Sequence, residues 1–380
     1  MLRPISRRSL AGLLLAALLA VAVTACSGSG SGSDKAASGS GKPGSPACPD
    51  EALTCPASGS SASPGAGAST AVGEATGRPS ESPSPTGKPT ATAGTAGASG
   101  KPPAKTVSCS SPGACGFPDA DTTGPRIPLK PHKTGYMTIR KNGTVIRGWD
   151  ITGSLDIYAN NVTVIDTKIT SDSWWGVNLR AGYSGLRVLH STITAVPGKG
   201  PDNGGVDYAV SNMSGSPVEV GWCNVSVFGD ALSTGQGNLH DNYVHDIAPF
   251  VNLGGEWQHT NTVISGGGNT GGLIIRHNTL LNPTSLKQGA SGSIGLFADV
   301  GVVRNVTVDH NWVAGGAYAL YGGDTGATGI KVTDNIFSTE YHPASGGYGV
   351  VAHWNAKGAG NVWRNNRMSD GRLIHPEPAS

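Results

Sequence analysis

The middle of the chain concentrates acids and histidines that could transfer protons. Asp230 opens a short apolar phrase, His245 lies further along, and Glu256 and His259 lead into the strand predicted next. Carboxyl and imidazole groups act as general acids and bases when they lie within hydrogen-bond reach of a substrate proton. We therefore name Asp230, His259, Glu256 and His245 as catalytic candidates. Each histidine is also compatible with a plain surface position.

Aromatic residues recur at one position of a short repeated phrase, as in Trp175-Gly-Val and Tyr208-Ala-Val. The first position of this phrase is occupied by Trp175, Tyr208, Asp230, Asn261, Ile294, Tyr318 and Tyr348. Sugar rings offer apolar C–H faces to aromatic rings and hydroxyls to polar groups. We expect the aromatic members and Asn261 to bind a sugar chain if the column faces outward. The alternatives are that the column points inward, or that tyrosine recurs because strands favour it.

A second repeat, from residue 144 onward, predicts the elements that position these residues. In one copy Val306 and Val308 precede Asn311 and Val313, so apolar residues alternate with period 2 and indicate a strand. The key position recurs at residues 149, 167, 191, 223, 242, 278, 311, 335 and 366. Repeats at such intervals are typical of solenoids, and the variation in interval fits one turn of variable length.

Asparagine fills the key position in the later copies. A tight bend between strands leaves backbone groups unpaired, and a side-chain amide can satisfy them because it has two donors and an acceptor. Identical amides stacked about 4.8 Å apart can also bond to one another along the solenoid. Cys223 occupies the same position in an earlier copy. We therefore expect it to be an inward, unreactive thiol.

The asparagine ladder, the coil length and the three-strand phrase resemble the right-handed parallel β-helix of the pectate lyase-like superfamily, over about residues 117–378. The resemblance implies an all-β fold. It also implies a polysaccharide lyase-like enzyme that acts on an extracellular or cell-wall polysaccharide. The alternatives are a non-catalytic β-helix that binds glycan or cell wall, and a glycoside hydrolase. We expect a monomer.

Two phrases are similar to catalytic phrases of β-helix pectin hydrolases, but each lacks an acid. Gly229-Asp230 is similar to their Gly-Asp-Asp phrase, and His259-Thr260-Asn261 is similar to Asn-Thr-Asp with an amide in place of the acid. Inverting hydrolases need both a carboxylic acid and a carboxylate. The missing acids therefore favour a lyase over a hydrolase.

A lyase needs a base and a positive group that holds the developing enolate. His259 or His245 could be the base, and Arg276, Lys287 or a metal the stabiliser. Lyases of the family that this chain resembles often use calcium bound by outward acids, although the sequence makes no cofactor certain. Asp230, Asp241 and Asp246 are the acids that could bind it.

The N-terminal segment carries export and anchoring signals. Arg7 and Arg8 precede an apolar run, and Val23-Thr24-Ala25-Cys26 resembles a bacterial lipobox. We predict a lipoprotein signal peptide over residues 1–25, exported by the twin-arginine or the general route. Lipidation of Cys26 would anchor the protein to the outer face of the cell membrane.

A linker is predicted between the anchor and the folded domain. Residues 26–116 are rich in Gly, Ser, Pro, Ala and Thr, and every aromatic residue and histidine lies at or after Phe117. Such a segment cannot bury enough apolar surface to order itself. We therefore predict a disordered linker over residues 26–116 and a β-helix domain over residues 117–380.

The cysteines of the linker form two closely spaced pairs, Cys48 with Cys55 and Cys109 with Cys115. In an exported segment this spacing predicts local disulfides. The formal net charge of +2 comes without a run of Lys or Arg, which argues against nucleic-acid binding.

Overall fold

The computed structural model describes residues 110–376. The predicted signal peptide, the lipidation site Cys26, the Cys48–Cys55 pair and the linker up to residue 109 lie outside the described residues. In the described range no helix is long and apolar enough to cross a membrane.

Parallel strands make up nearly all of the regular structure. They form a nine-stranded sheet and a 17-stranded sheet in which each strand pairs with its counterparts one repeat before and after. The predicted all-β parallel β-helix is confirmed. Each coil contributes one strand to the nine-stranded sheet and two to the larger sheet, which therefore contains two rows of strands.

The bounds of the strands follow this division. The nine-stranded sheet consists of β2 (Val145–Arg147), β4 (Thr163–Ile165), β7 (Arg187–Leu189), β10 (Val218–Gly221), β13 (Gly237–His240), β16 (Leu273–Arg276), β19 (Val306–Asp309), β22 (Lys331–Thr333) and β25 (Val362–Arg364). The ladder row, which follows the key positions, consists of β5 (Lys168–Ser171), β8 (Thr192–Ala195), β11 (Asn224–Ser226), β14 (Tyr243–His245), β17 (Thr279–Asn282), β20 (Trp312–Gly315), β23 (Ile336–Phe337) and β26 (Arg367–Met368).

The third row consists of β6 (Trp175–Leu179), β9 (Tyr208–Asn212), β12 (Asp230–Ser233), β15 (Asn261–Ser265), β18 (Gly292–Leu296), β21 (Tyr318–Gly322) and β24 (Gly349–Ala352). Two long strands, β1 (Lys130–Ile139) and β3 (Trp149–Ile157), open the solenoid, and β3 pairs with strands of both rows. Short 3-10 turns lie at Gly113–Cys115 and Leu286–Gln288.

The core is a stack of aliphatic side chains that point inward from every coil. In the nine-stranded sheet Val164 lies opposite Val188, and Val188 opposite Val220, all essentially unexposed. Side chains alternate along a strand, so neighbours such as Thr163, Arg187 and Glu219 lie on the outer side and are at least partly exposed. Each coil therefore covers the apolar face of the one before it.

The asparagine ladder is present as predicted. The Nδ2 atom of Asn278 donates to Oδ1 of Asn311 at 2.9 Å and to the carbonyl of Leu239 at 2.9 Å. The same pattern recurs at Asn242, Asn311 and Asn335, and Asn366 ends the ladder by donating to the carbonyl of Val332. Cys223 continues the ladder as a free, fully buried thiol, and burial raises its pKa to about 12.

The segment before β1 lies along the corner between the nine-stranded sheet and the ladder row. The ring of Phe117 stacks on His310 with centroids 5.1 Å apart, and Arg126 pairs with Asp166 at 2.8 Å. The 3-10 turn Gly113–Cys115 lies just before Phe117. Cys115 is disulfide-bonded, and its predicted partner Cys109 lies outside the described residues.

Candidate functional site

The third row presents a column of side chains at the start of its strands. Trp175 lies opposite Tyr208, Tyr208 opposite Asp230, and Asp230 opposite Asn261. These side chains contact the turns outside the coil; Gln258, in the turn before β15, donates to Asp230 Oδ2 at 3.3 Å. The column therefore forms the floor of an outer face that the turns between the rows cover in part.

The predicted column is wrong at its fifth member. Ile294 lies opposite Val263, and both are fully buried in the core. Gly292 is the residue next to Asn261, and its N–H donates to Asn261 Oδ1 at 2.9 Å. The turn before β18 sets this register, which the apolar pattern alone does not reveal.

Three carboxyl groups are buried together beside this column. Asp202 and Asp207 belong to the turn before β9, and Asp230 opens β12; their exposed fractions are 7%, 7% and 3%. The backbone N–H of Asp230 donates to the carbonyl of Asp207 at 2.7 Å, which joins the two coils. Within the described residues no cationic side chain pairs with any of the three. We call them the acid cluster.

Two carboxyl groups of the acid cluster, Asp207 and Asp230, have raised pKa values. Burial raises the pKa of Asp230 to about 7; hydrogen bonds from Asn261 and Gln258 oppose this effect, and the charge of Asp207 adds to it. Burial also raises the pKa of Asp207 to about 7, helped by the charge of Asp202 and a hydrogen bond with it. Carboxyl groups with such pKa values can exchange protons at neutral pH, a common property of functional sites.

A hairpin over residues 249–258 covers the acid cluster, and we call it the cover hairpin. Val251 and Trp257 pair in antiparallel fashion near its base. At its tip the backbone N–H of Leu253 donates to Asp202 Oδ1 at 2.6 Å. The acid cluster therefore holds the hairpin as well as lying beneath it.

Two glycines let the cover hairpin approach the coil. A Cβ atom on Gly205 would lie 2.2 Å from the ring of Phe250, and one on Gly229 would lie 2.9 Å from the same ring. No real Cβ contact is that short, so a side chain at Gly205 would push Phe250 away. The two glycines therefore allow the ring of Phe250 to pack closely against the coil, beside the acid cluster.

The structure does not bring the predicted catalytic residues together. Asp230 is buried rather than open to a cleft, and its oxygens accept from Asn261 at 2.7 Å and Gln258 at 3.3 Å, not from His259. Glu256 and His259 are both exposed. The carbonyl of His259 accepts a hydrogen bond from Asn261. Their catalytic roles stay predictions.

His245 lies on a different row from Asp230. It ends β14 of the ladder row, where its ring nitrogens bond to Asn224 at 2.9 Å and to Asp246 at 2.7 Å. A strand that directly follows a ladder residue faces a different side of the solenoid from the third row. His245 and Asp230 therefore do not form one site, and the catalytic role of His245 stays a prediction.

The residues predicted to hold a metal or to stabilise an enolate also lie apart. Asp241 lies at the corner of the coil and pairs with His277 at 2.6 Å, whereas Asp230 belongs to the third row. Arg276 belongs to the nine-stranded sheet, and Lys287 to an exposed 3-10 turn. Across the described range no group of three or more acids, histidines or cysteines could hold a metal ion. The acids proposed for calcium do not fit one site.

A first aromatic cluster lies at the N-terminal end of the outer face. The guanidinium of Arg180 lies 4.7 Å from the ring centroid of Trp175 and 5.4 Å from that of Tyr158. Asp156, which is unexposed, pairs with Arg180 at 2.7 Å and accepts a hydrogen bond from Tyr136. The ring of Tyr136 is 53% exposed. The ion pair thus holds the guanidinium beside two rings at the surface.

A second aromatic cluster lies at the C-terminal end. The ring of Tyr318 lies 5.6 Å from Tyr321 and 5.9 Å from Tyr348, and Tyr321 lies 5.0 Å from Phe297. Tyr348 is 67% exposed and precedes Gly349, which is the residue paired with Tyr318. Tyr348 is therefore one residue out of the predicted register, although its ring still joins the cluster.

An uncharged concavity of about 500 Å³ borders the opposite edge of the third row. Its walls include Asn212, Ser233, Thr234, Gln236, Ser265, Asn269 and the glycines 266–268. The apolar side chains of Ile264 and Val300 complete the lining, and no charged side chain is among the lining residues. The outer face thus has an uncharged wall on one side and the cover hairpin on the other.

Sequence reasoning missed Asp202 and Asp207. Asp207 directly precedes Tyr208, a member of the aromatic phrase, so the sequence could have predicted that Asp207 lies beside the column. The position of Asp202 could not be predicted in this way, because Asp202 lies in an aperiodic turn whose path depends on the cover hairpin.

Comparison with known proteins adds no further assignment. No family model, no curated protein and no solved structure matches the chain.

Proposed function

We propose that the β-helix binds a polysaccharide chain along the outer face of the third row. The observation that carries the proposal is the presence of two aromatic clusters on one face, with polar groups between them. Aromatic rings stack against sugar C–H faces, while hydroxyls and amides between them bond to the sugar hydroxyls.

The separation of the clusters favours a chain over a single sugar. Trp175 belongs to β6 and Tyr318 to β21, and β9, β12, β15 and β18 lie between them. At about 4.8 Å between adjacent strands, the two ends of the face are roughly 24 Å apart. A ligand that contacts both clusters must therefore be an oligosaccharide or a longer polymer.

Binding to a panel of soluble polysaccharides, measured by affinity electrophoresis and calorimetry, tests this proposal. We expect Trp175→Ala and Tyr318→Ala each to weaken binding by about fivefold or more, because each removes a stacking surface. Trp222→Ala is the matched control, since Trp222 lies at the corner between the other two rows, stacked on His190 at 4.6 Å. Equal losses in all three variants, or no binding to any member of the panel, would contradict the proposal.

Cleavage of the bound chain is a second candidate function. The observation that favours it is the acid cluster, since burial raises the pKa values of Asp207 and Asp230 to about 7. The two carboxyl groups could supply a proton donor and a base, as in glycoside hydrolysis. The lyase prediction has less support, because no described base and cation meet at Asp230.

An activity assay separates these reactions. New reducing ends without unsaturated uronate absorbance indicate hydrolysis, and absorbance at the new double bond indicates a lyase. Under the cleavage hypothesis Asp207→Asn and Asp230→Asn each abolish activity, whereas Asp246→Asn, an exposed acid of the ladder row, keeps it. Binding without new reducing ends or unsaturated uronate absorbance indicates that the protein binds the polysaccharide without cleaving it.

We also propose that the protein works at the cell surface. The lipobox-like Val23-Thr24-Ala25-Cys26 and the Gly/Ser/Pro-rich residues that follow support a lipid anchor with a long tether. A domain on such a tether could reach polymers of the cell wall.

A further inference from the structure

We infer that the outer face of the third row takes a polysaccharide of uncharged sugars and rejects polyuronates. This inference rests on the proposed binding function and names the substrate class. It is carried by the distribution of charge along the face.

The middle of the face carries acids without counter-ions. Asp202, Asp207 and Asp230 are all more than nine-tenths buried, and in the described part of the chain no lysine, arginine or histidine pairs with them. A sugar carboxylate bound beside them would add a like charge in a poorly solvated place. Opposing carboxylates repel most strongly where water cannot screen them.

Two arginines contact the Tyr158 ring of the first aromatic cluster: Arg140 is exposed, 4.8 Å from the ring centroid, whereas Arg180 is already neutralised. Arg180 pairs with the unexposed Asp156 at 2.7 Å, and Asn178 donates to the same carboxylate at 3.1 Å. The hydrogen bond that Arg180 donates to Asp156 is the largest cause that raises the pKa of Arg180. Arg180 therefore stays charged and forms an ion pair with Asp156. Its guanidinium packs against the rings of the first aromatic cluster rather than binding an anionic ligand.

The rest of the face suits neutral hydroxyls. The concavity along the third row has no charged side chain in its lining, and Ser233, Gln236 and Asn269 supply hydroxyl and amide groups beside the apolar Ile264 and Val300. These groups both donate and accept hydrogen bonds, as sugar hydroxyls do. A protonated carboxyl at Asp207 or Asp230 has the same dual capacity.

The test compares neutral and acidic oligosaccharides of equal length. The neutral set contains hexamers of β-1,4-linked glucose, galactose and N-acetylglucosamine, and the acidic set contains hexamers of galacturonate and mannuronate. At about pH 8, above the raised pKa values of Asp207 and Asp230, we expect the best neutral ligand to bind at least about tenfold more tightly than the best uronate. A uronate that binds as tightly or more tightly overturns the inference and leaves the proposed function standing. No binding in either set overturns both.

A variant tests the cause of the discrimination. Asp207→Asn with Asp230→Asn removes the two negative charges with little change of shape, so uronate binding should rise by about tenfold relative to wild type. Asp246→Asn is the matched control because its carboxylate is exposed on the ladder row. Thermal unfolding checks that the double variant folds; the single Asp230→Asn variant gives the same readout if it does not. Unchanged uronate binding in a folded variant contradicts the inference.

Discussion

Asp230→Asn should make the stability of the protein less sensitive to a rise in pH from about 4 to about 7. The carboxyl of Asp230 is 3% exposed, and burial raises its pKa from 3.8 to about 7. Below about pH 4 the group is protonated in both the folded and the unfolded chain. As the pH rises, the unfolded chain ionises first, so the stability that the protonated group contributes is lost between about pH 4 and pH 7.

The magnitude follows from the shift in pKa. Each pKa unit corresponds to about 1.4 kcal/mol, so the free energy of unfolding of the wild type should fall by about 4 kcal/mol over this range because of Asp230. The asparagine side chain still accepts the hydrogen bond from Asn261, but it loses the one from Gln258, which costs about 1 kcal/mol. The variant should therefore be slightly less stable than wild type at about pH 4 and about 3 kcal/mol more stable at about pH 8.

Urea unfolding, followed by tryptophan fluorescence at the two pH values, measures this reversal in the relative stability of variant and wild type. Asp241→Asn is a control of opposite sign. Burial acts to raise the pKa of Asp241, but hydrogen bonds from His240 and His277 outweigh it and lower the pKa. That variant should therefore lose stability at about pH 8. If Asp230→Asn differs from wild type by the same amount at both pH values, Asp230 is not held protonated by the fold.

Three further outcomes are expected. Asn311→Ala should lower the free energy of unfolding by about 1–3 kcal/mol, because it leaves buried turn groups unpaired. Asn238→Ala, on the outer side of β13, is the control and should change the free energy of unfolding little in the same urea titration. Gly205→Ala should displace Phe250 and expose the acid cluster, seen as faster proteolysis within the cover hairpin than in wild type. Cys26→Ser should release the protein into the medium and remove the lipid mass from its N-terminus; wild-type protein that is free of lipid would contradict the anchor.

The sequence by itself determined the solenoid. Alternating apolar residues define strands, and the recurrent asparagines define the bend between two of them, because both features act within one coil and its nearest neighbours. Asn278 and Asn311 could be placed in one ladder without a structure for this reason. The position of Asp230 beside Asn261 followed in the same way, since their strands carry matching phrases.

Tertiary structure decided what surrounds Asp230. The turns differ in length and lack periodicity, so the sequence does not predict that the backbone of Leu253 contacts Asp202. For the same reason it does not predict that Gly292, rather than Ile294, lies next to Asn261 on the neighbouring strand. The side of the solenoid on which a residue lies also depends on which row its strand joins. His245 is close to Asp230 in sequence yet lies on another row, because the coil turns between them and directs successive strands to different faces.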